Sequence, residues 1–307
     1  MPSLLNIPLE LRDQIIELCL CSCDPPPARP DIASREAAKL DHSSMAWDFG
    51  ITNTLYEKGR GEIANSLPLL LVNRQFSTDT KNVLAWLAKS LTYRLDIVLL
   101  NELWVLPTWL CFPTVSNHVE NFVVTIRVLG ICKKGEYSNH PFVIGDGSPP
   151  QIYWCFYSLF ERFVKSGRLS SSTQKEGTRD QRVFIQNLTL DFVNSEDNDN
   201  DPHLQDILSG KITFGDWYDS RRRSPLRTES GIIDCFLRPE WLAQSLGDAI
   251  KSLVSTPYYE SYYGSILQEQ IGTIQICVNS KLQTSVNVAE NLAEFKLDDP
   301  SGDSGNT

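Results

Sequence analysis

The stretch Phe122-Val123-Val124-Thr125-Ile126-Arg127-Val128 carries the clearest strand signal in the chain. Apolar side chains occupy every second position, and Val, Thr and Arg stand between them. Successive side chains of a strand point to opposite faces of a sheet, so this alternation predicts a strand with one buried face. Such a face needs a covering layer, and the sequence on both sides supplies candidates for it.

Three further segments share this strand pattern. Residues 93–99 alternate Tyr, Leu, Ile and Leu with Arg, Asp and Val. Strands are also predicted over residues 183–192 and 274–278.

Apolar residues recur at the spacing of an α-helix between and around these strands. Side chains three or four positions apart share one face of a helix, so this spacing predicts helices. The longest of them covers residues 68–89 and leads directly into the strand at 93–99. The others are predicted over residues 34–40, 101–111, 152–163, 239–254 and 287–295.

The alternation of strands and helices after residue 90 predicts an α/β fold, in which strand–helix–strand units make the sheet partly parallel. Because the spacing between the strands is irregular, a mixed α+β arrangement and a curved, repeat-like sheet are the alternatives. The predicted regions are N-terminal helices over residues 1–90, an α/β domain over 91–297 and a disordered tail over 298–307. Loops are predicted at about 24–66, 168–181 and 194–230.

Composition and charge exclude several classes of function. With a net charge of −10, the chain is not expected to have the basic surface that binding to nucleic acids or anionic membranes requires. No apolar run approaches the ~20 residues of a membrane span, and no secretory signal opens the chain. The protein is therefore predicted to be intracellular, in the cytoplasm or the nucleus, with its eight cysteines as reduced thiols.

The two densest clusters of potential metal ligands do not match known sites. Cys19, Cys21 and Cys23 are separated by single residues, whereas structural zinc sites use wider pairs and a second pair elsewhere. The acidic run at 197–201 begins like a calcium loop, but its sixth position is Pro202 instead of Gly and its twelfth is Leu instead of Glu. The sequence therefore predicts incidental thiols, a solvated acidic loop and no metal ion.

No catalytic arrangement follows from the spacing of nucleophiles and bases. The histidines stand beside no Ser or Cys nucleophile motif; they are His42, His118, His140 and His203. Residues 221–225 (Arg-Arg-Arg-Ser-Pro) are interpreted as a solvated loop, with phosphorylation of Ser224 as the alternative. No catalytic residue and no cofactor is predicted, and an enzyme with an unrecognised site is a third alternative for the function.

The N-terminal stretch Leu5-Asn6-Ile7-Pro8-Leu9-Glu10-Leu11 begins a short amphipathic helix. Its proline has the φ that suits a first helical position. Leu11, Ile15 and Leu18 follow at i, i+4 and i+7, so they share one face. Isolated helices shorter than about 12–15 residues are marginal, so this face requires a partner in the same chain or in another protein.

Two N-terminal segments together resemble an F-box of the form common among fungal proteins. Ile7-Pro8-Leu9-Glu10-Leu11, followed by a spaced Ile and Leu, is similar to the start of the family's first helix. Residues 69–76 (Leu-Leu-Leu-Val-Asn-Arg-Gln-Phe) resemble a later helix of the family, with Asn73 where a Cys is common. An insertion of residues 25–66 separates the two segments.

F-box proteins join a cullin-type ubiquitin ligase by binding its adaptor subunit, and their C-terminal domains select substrates. The resemblance implies a substrate receptor without catalysis of its own, with a protein substrate on its C-terminal domain. It places adaptor contacts at Pro8, Leu9, Leu11 and Ile15. The alternative is a scaffold protein whose F-box-like helices form internal core, which predicts full burial of Leu11, Ile15 and Leu18.

Overall fold

Four parallel strands form the centre of a six-stranded mixed sheet in the computed structural model. The structure describes residues 4–37, 53–58, 63–132, 151–167, 182–221, 235–255, 265–288 and 290. In chain order, the strands are β1 (Arg35–Ala37), β2 (Leu55–Glu57), β3 (Thr92–Leu100), β4 (Trp104–Cys111), β5 (His118–Leu129), β6 (Phe184–Val193), β7 (Ile271–Val278) and β8 (Lys281–Asn287). A separate antiparallel pair is formed by β1 and β2.

The helices lie before the sheet and between its strands. In chain order they are α1 (Leu9–Leu20), α2 (Ser66–Val72), α3 (Arg74–Leu87), α4 (Gln151–Ser166), α5 (Glu196–Asp199), α6 (Leu204–Leu208), α7 (Phe214–Arg221), α8 (Pro239–Ser255) and α9 (Ser265–Gln270). A single 3-10 turn, Leu4–Asn6, precedes α1.

Across the six-stranded sheet, the strand order is β4-β3-β5-β6-β7-β8, and the two edge strands run antiparallel to their neighbours. Asn101 and Glu102 turn the chain from β3 to β4 with φ of 52° and 58°. Asn279 and Ser280 turn it from β7 to β8 with φ of 48° and 62°. Two successive residues at positive φ suit the twist of a hairpin. The predicted combination of helices with a partly parallel sheet is confirmed, and the antiparallel edges distinguish it from a regular strand–helix repeat.

One face of the sheet is covered by α4 and α8, which also contact each other. Phe122 on β5 is fully buried, and its ring centroid lies 4.8 Å from that of Phe163 on α4. In the register of the sheet, Phe122 aligns with Leu188 of β6, which aligns with Ile274 of β7. Burying each such side chain contributes roughly 1.5–3 kcal/mol, so this layer is the main source of stability.

The segment predicted as a loop insertion packs against the opposite face of the sheet, near β3 and β4. Arg127 pairs with Asp96 at 2.7 Å and donates a hydrogen bond to the Pro27 carbonyl oxygen at 2.8 Å. Arg35 of β1 donates to the carbonyl oxygen of Pro107 at 2.8 Å. The described parts of this insertion therefore belong to the folded body of the protein.

The helices predicted over residues 101–111 and 68–89 differ from the structure. Residues 101–111 form the first hairpin turn and β4 instead of a helix. Pro107 lies in an edge strand, where a missing N–H is tolerated. The helix predicted over 68–89 is divided into α2 and α3, because Asn73 is extended (φ −166°, ψ 175°) and its side chain caps α3 by accepting from the Phe76 N–H at 2.9 Å.

Other predicted boundaries also differ from the structure. Residues 35–37 of the helix predicted at 34–40 form a strand. Residues 194–230, predicted to be irregular, include α5, α6 and α7, and β8 was not predicted. The loop at 168–181, the tail at 298–307 and most of the helix at 287–295 lie outside the described residues.

Candidate partner-binding surface

The three N-terminal helices share a small apolar core of their own. It is distinct from the core beneath the sheet and is completed by the residue that precedes β3. Its buried members are Ile16, Leu20, Phe76, Val83, Leu87 and Leu91. A core of this size leaves much of the apolar surface of the three helices uncovered.

Helix α1 has a buried face and an exposed apolar face. Arg12, Ile16 and Leu20 are buried against the neighbouring helices. The predicted i, i+4, i+7 stripe faces the other way, with Leu11 49% exposed and Leu18 72% exposed. The scaffold alternative predicted full burial of this stripe, and that expectation is wrong.

Helix α2 adds a second group of exposed apolar side chains. Leu71 is 74% exposed and Val72 is 59% exposed, although both occupy a strongly apolar segment. The exposed apolar side chains of α1, of α2 and of the turn before α1 are together termed the N-terminal apolar face: Leu5, Leu9, Leu11, Leu18, Leu67, Leu71 and Val72. Large exposed apolar surfaces of this kind mark sites of interaction.

A buried ion pair fixes α1 against α3. The Nε of Arg12 lies 3.1 Å from Oδ2 of Asp79, and both side chains are about nine-tenths buried. The same guanidinium donates from its Nη1 to the carbonyl oxygens of Leu5 and Ile7, at 3.1 and 3.0 Å. One side chain therefore orients both α1 and the segment that leads into it.

The two ends of the insertion between α1 and α2 lie next to each other, at the C-terminal end of α1. The side-chain amide of Asn65 donates to the carbonyl oxygens of Leu20 and Ser22, at 3.0 and 3.1 Å. These are carbonyls at the C-terminal end of α1, which lack partners within the helix. The two segments that resemble an F-box are therefore adjacent in space despite the residues between them.

The residues predicted to contact an adaptor occupy the expected side of α1 in part. Pro8, Leu9 and Leu11 are exposed, whereas Ile15 is half-buried. The exposed residues of α2 were not among the predicted contacts, because their apolar run was predicted to be part of one long helix over residues 68–89. Four consecutive apolar residues, Leu69 to Val72, point in all directions around a helix, and a short helix cannot bury all of them. The run therefore indicates that some of these side chains are exposed.

The acidic run predicted to be solvated is instead partly structural. Asp201 is buried, and its carboxylate accepts hydrogen bonds from the backbone N–H groups of His203 and Phe236, both at 2.7 Å. Asn198 is fully buried and donates to the carbonyl oxygen of Leu237 at 3.1 Å. The prediction failed because the distant partners of Asp201 and Asn198 are Phe236 and Leu237, which lie 35 and 39 positions further along the chain.

The basic run predicted to be a solvated loop is also anchored at its first residue. Arg221 and Glu102 are both fully buried, with a distance of 3.0 Å between Nε and Oε2. Glu102 follows β3 at the carboxyl ends of the parallel strands, the edge at which open α/β sheets commonly bind ligands. Here an ion pair fills part of that edge, so the ligand-binding position of many α/β folds is closed near β3.

His42, His140 and Ser224 lie outside the described residues, and the remaining candidates for chemistry within them are surface groups. Cys19, Cys21 and Cys23 are exposed free thiols, and the part of the chain that the structure describes holds no cluster of ligands suited to a metal ion. His118 is exposed at the start of β5, with 3.3 Å between its Nε2 and Oε2 of Glu120.

No helix within the described ranges has the length and apolar character needed to cross a membrane. Comparison of the chain with protein-family models, with curated proteins and with solved structures gave no match.

Proposed function

We propose that the protein is an F-box-like substrate receptor, which binds the adaptor subunit of a cullin-type ubiquitin ligase through its N-terminal apolar face. The observation that carries this proposal is the outward orientation of the α1 stripe, where Leu11 is 49% exposed and Leu18 is 72% exposed. The proposal assigns no catalysis and no cofactor to this chain. A protein substrate would bind the C-terminal domain.

The energetics favour a protein partner for this face. Covering one large apolar side chain contributes roughly 1.5–3 kcal/mol when it is fully removed from water. Because Leu11 is 49% exposed and Leu18 is 72% exposed, about half or more of that free energy is still available at these two positions. A few such residues are enough to dominate an interface, because binding energy concentrates in small groups of buried anchors. An exposed helical stripe matches the helix-based mode of recognition, in which anchors recur at i, i+4 and i+7.

The geometry of the N-terminal region supports the same proposal. The Arg12–Asp79 pair and the Asn65 amide hold the two F-box-like segments together around the small core. The face is therefore presented by ordered helices that need little rearrangement to bind. Preorganisation of this kind lowers the entropic cost of association.

Calorimetry with the purified adaptor subunit tests the proposal. The unaltered chain is expected to bind, and Leu11→Asp and Leu18→Asp are each expected to weaken binding at least about tenfold, since each removes an anchor and buries a charge. Leu9→Asp and Ile15→Asp extend the test to the other predicted contacts.

The matched control is Leu208→Asp, which changes an equally exposed leucine (69%) on α6, outside the N-terminal apolar face. It is expected to leave adaptor binding unchanged. Absence of binding by the unaltered chain, or equal binding by the Leu11 and Leu18 variants, would reject the proposed function.

A further inference from the structure

A cavity of about 750 Å³ lies in the C-terminal domain, away from the N-terminal apolar face. Its walls are α4, α8 and the region from the end of α6 to the start of α7. Half-buried aromatic rings from all three walls line it: Tyr153, Trp154, Phe214 and Trp241. The volume lies within the range of roughly 300–1,000 Å³ that is typical of small-molecule sites.

The walls of the cavity are fixed by contacts between the helices. The hydroxyl groups of Tyr153 on α4 and Ser245 on α8 are hydrogen-bonded to each other. The rings of Phe214 and Trp241 lie with their centroids 6.3 Å apart, which joins α7 to α8. The start of α7 is capped by Asp216, whose carboxylate accepts from the N–H of Thr213 at 2.8 Å. The cavity is therefore largely preformed, as small-molecule sites usually are.

The charge of the lining defines the class of ligand. Among the described residues that line the cavity, Asp248 on α8 is the only one with a charged side chain. Burial is the main cause that raises the pKa of Tyr153 in the cavity wall, and the negative charge of Asp248 adds the smallest of the contributions in the same direction. Aromatic faces attract cations, and a carboxylate beside them adds a direct charge partner.

The helical walls distinguish a small molecule from an extended peptide. Peptides that bind as strands are held by free backbone N–H and C=O groups. Backbone groups within α4 and α8 are used inside the helices, so these walls offer side chains only. The cavity therefore suits a compact ligand with an apolar body.

We propose that this cavity binds a small organic cation, with an aromatic or branched apolar body against Trp154 and Trp241 and its positive group beside Asp248. The proposal does not depend on adaptor binding. The net charge of −10 on the chain favours the approach of such a cation over that of an anion.

Calorimetric titration with three matched probes tests the charge preference. The probes are naphthylethylammonium, the neutral naphthylethanol and the anionic naphthylacetate, which share one apolar body. The cation is expected to bind at least about fivefold more tightly than the alcohol and more tightly still than the anion. The preference is expected to shrink at high salt, because Asp248 is exposed.

Two substitutions connect this preference to the cavity. Asp248→Asn is expected to bring the affinity for the cation close to that for the alcohol, whereas Gln244→Glu adds a second carboxylate to the lining and should increase the preference. Both positions are exposed on α8, so the fold should tolerate the changes. The control is Asp199→Asn, the same change at an exposed residue of α5 outside the lining.

Saturable binding of the cation with loss of its preference only in Asp248→Asn supports the proposal. Equal binding of all three probes, an equal effect of Asp199→Asn, or no saturable binding of the cation overturns it.

Discussion

The N-terminal helices and the sheet domain contain equally regular apolar patterns, but the pattern is buried in the sheet domain and exposed in the first N-terminal helix. In the sheet, the alternating residues of β5 are covered by helices, and Phe122 and Val124 are fully buried. In α1, an equally regular stripe faces outward, and Leu18 is 72% exposed. The pattern alone thus identifies a face that must be covered, but it does not say whether the covering layer lies in the same chain.

The difference follows from the size of each region. A layer of long helices over six strands can enclose its apolar surface, whereas three short helices have too little interior to do so. The N-terminal region compensates with polar contacts, of which Arg12–Asp79 is the most buried. Its folding is therefore compatible with an apolar exterior, which is the requirement for a binding surface.

The largest expected effect comes from a matched pair of aromatic substitutions in the two regions. Phe122→Ala should lower the free energy of unfolding by about 4 kcal/mol, because it leaves a cavity among the Trp109 and Phe163 rings. Trp86→Ala on α3 should change it by less than about 0.5 kcal/mol, because Trp86 is 70% exposed. Urea unfolding followed by circular dichroism measures both, and similar losses in the two variants would contradict the comparison.

The buried ion pair at the edge of the sheet gives the next largest effect. Glu102→Gln keeps the size of the side chain but removes the negative charge from the fully buried pair with Arg221, which should cost about 3 kcal/mol. The control is Glu269→Gln, which breaks a pair with Arg182 whose side chains are 56% and 60% exposed. Its cost should be under about 1 kcal/mol in the same unfolding experiment. A cost for Glu102→Gln as small as that of the control would mean that the pair is not desolvated as described.

The corresponding pair in the N-terminal region should have a local effect. Asp79→Asn leaves Arg12 with its carbonyl partners but without its carboxylate, at a cost of about 2 kcal/mol. Amide hydrogen exchange should accelerate in α1, while the amides of β5 keep their protection. Equal loss of protection in both elements would show that the two cores are a single cooperative unit.

The smallest effect is the dependence of stability on alkaline pH. Burial raises the pKa of the Cys155 thiol from its ordinary 9.0 to about 12 in the folded protein. Because the unfolded chain then loses the proton first, the contribution of this group is complete below pH 9 and is lost as the pH rises towards 12. Between pH 9 and 10 the free energy of unfolding should fall by up to about 1.4 kcal/mol on this account.

Urea midpoints in reducing buffer measure this slope. Burial also raises the pKa of Tyr56 to about 12, so this tyrosine steepens the slope above pH 10. Cys155→Ala should reduce the slope, and Cys19→Ala, which changes an exposed thiol, should not. An unchanged slope in Cys155→Ala would refute the assignment.

The sequence predicted those parts of the fold that depend on local patterns. The alternation in β5 and the apolar stripe of α4 are period signals, and both elements form where they were expected. The break at Asn73 was missed because a continuous apolar run concealed the capping role of that residue. The first hairpin was missed because Asn101 and Glu102 are an uncommon pair for a turn at positive φ.

The parts that depend on distant partners could not be predicted. Arg221 is paired with a residue 119 positions earlier, so a basic run gave no indication of its burial. For the candidate surface, the period of α1 was predicted but its orientation was not. The Arg12–Asp79 pair spans 67 positions and brings the side of α1 that carries Ile16 towards α3.

The most direct test of the central claim is the affinity of the purified adaptor subunit for the chain and for two of its variants. If the outward stripe of α1 is a binding surface, the unaltered chain and Leu208→Asp will bind alike, and Leu18→Asp will bind at least about tenfold more weakly while unfolding at the same urea concentration. Equal affinities for Leu18→Asp and the unaltered chain, or no affinity in either, would contradict it.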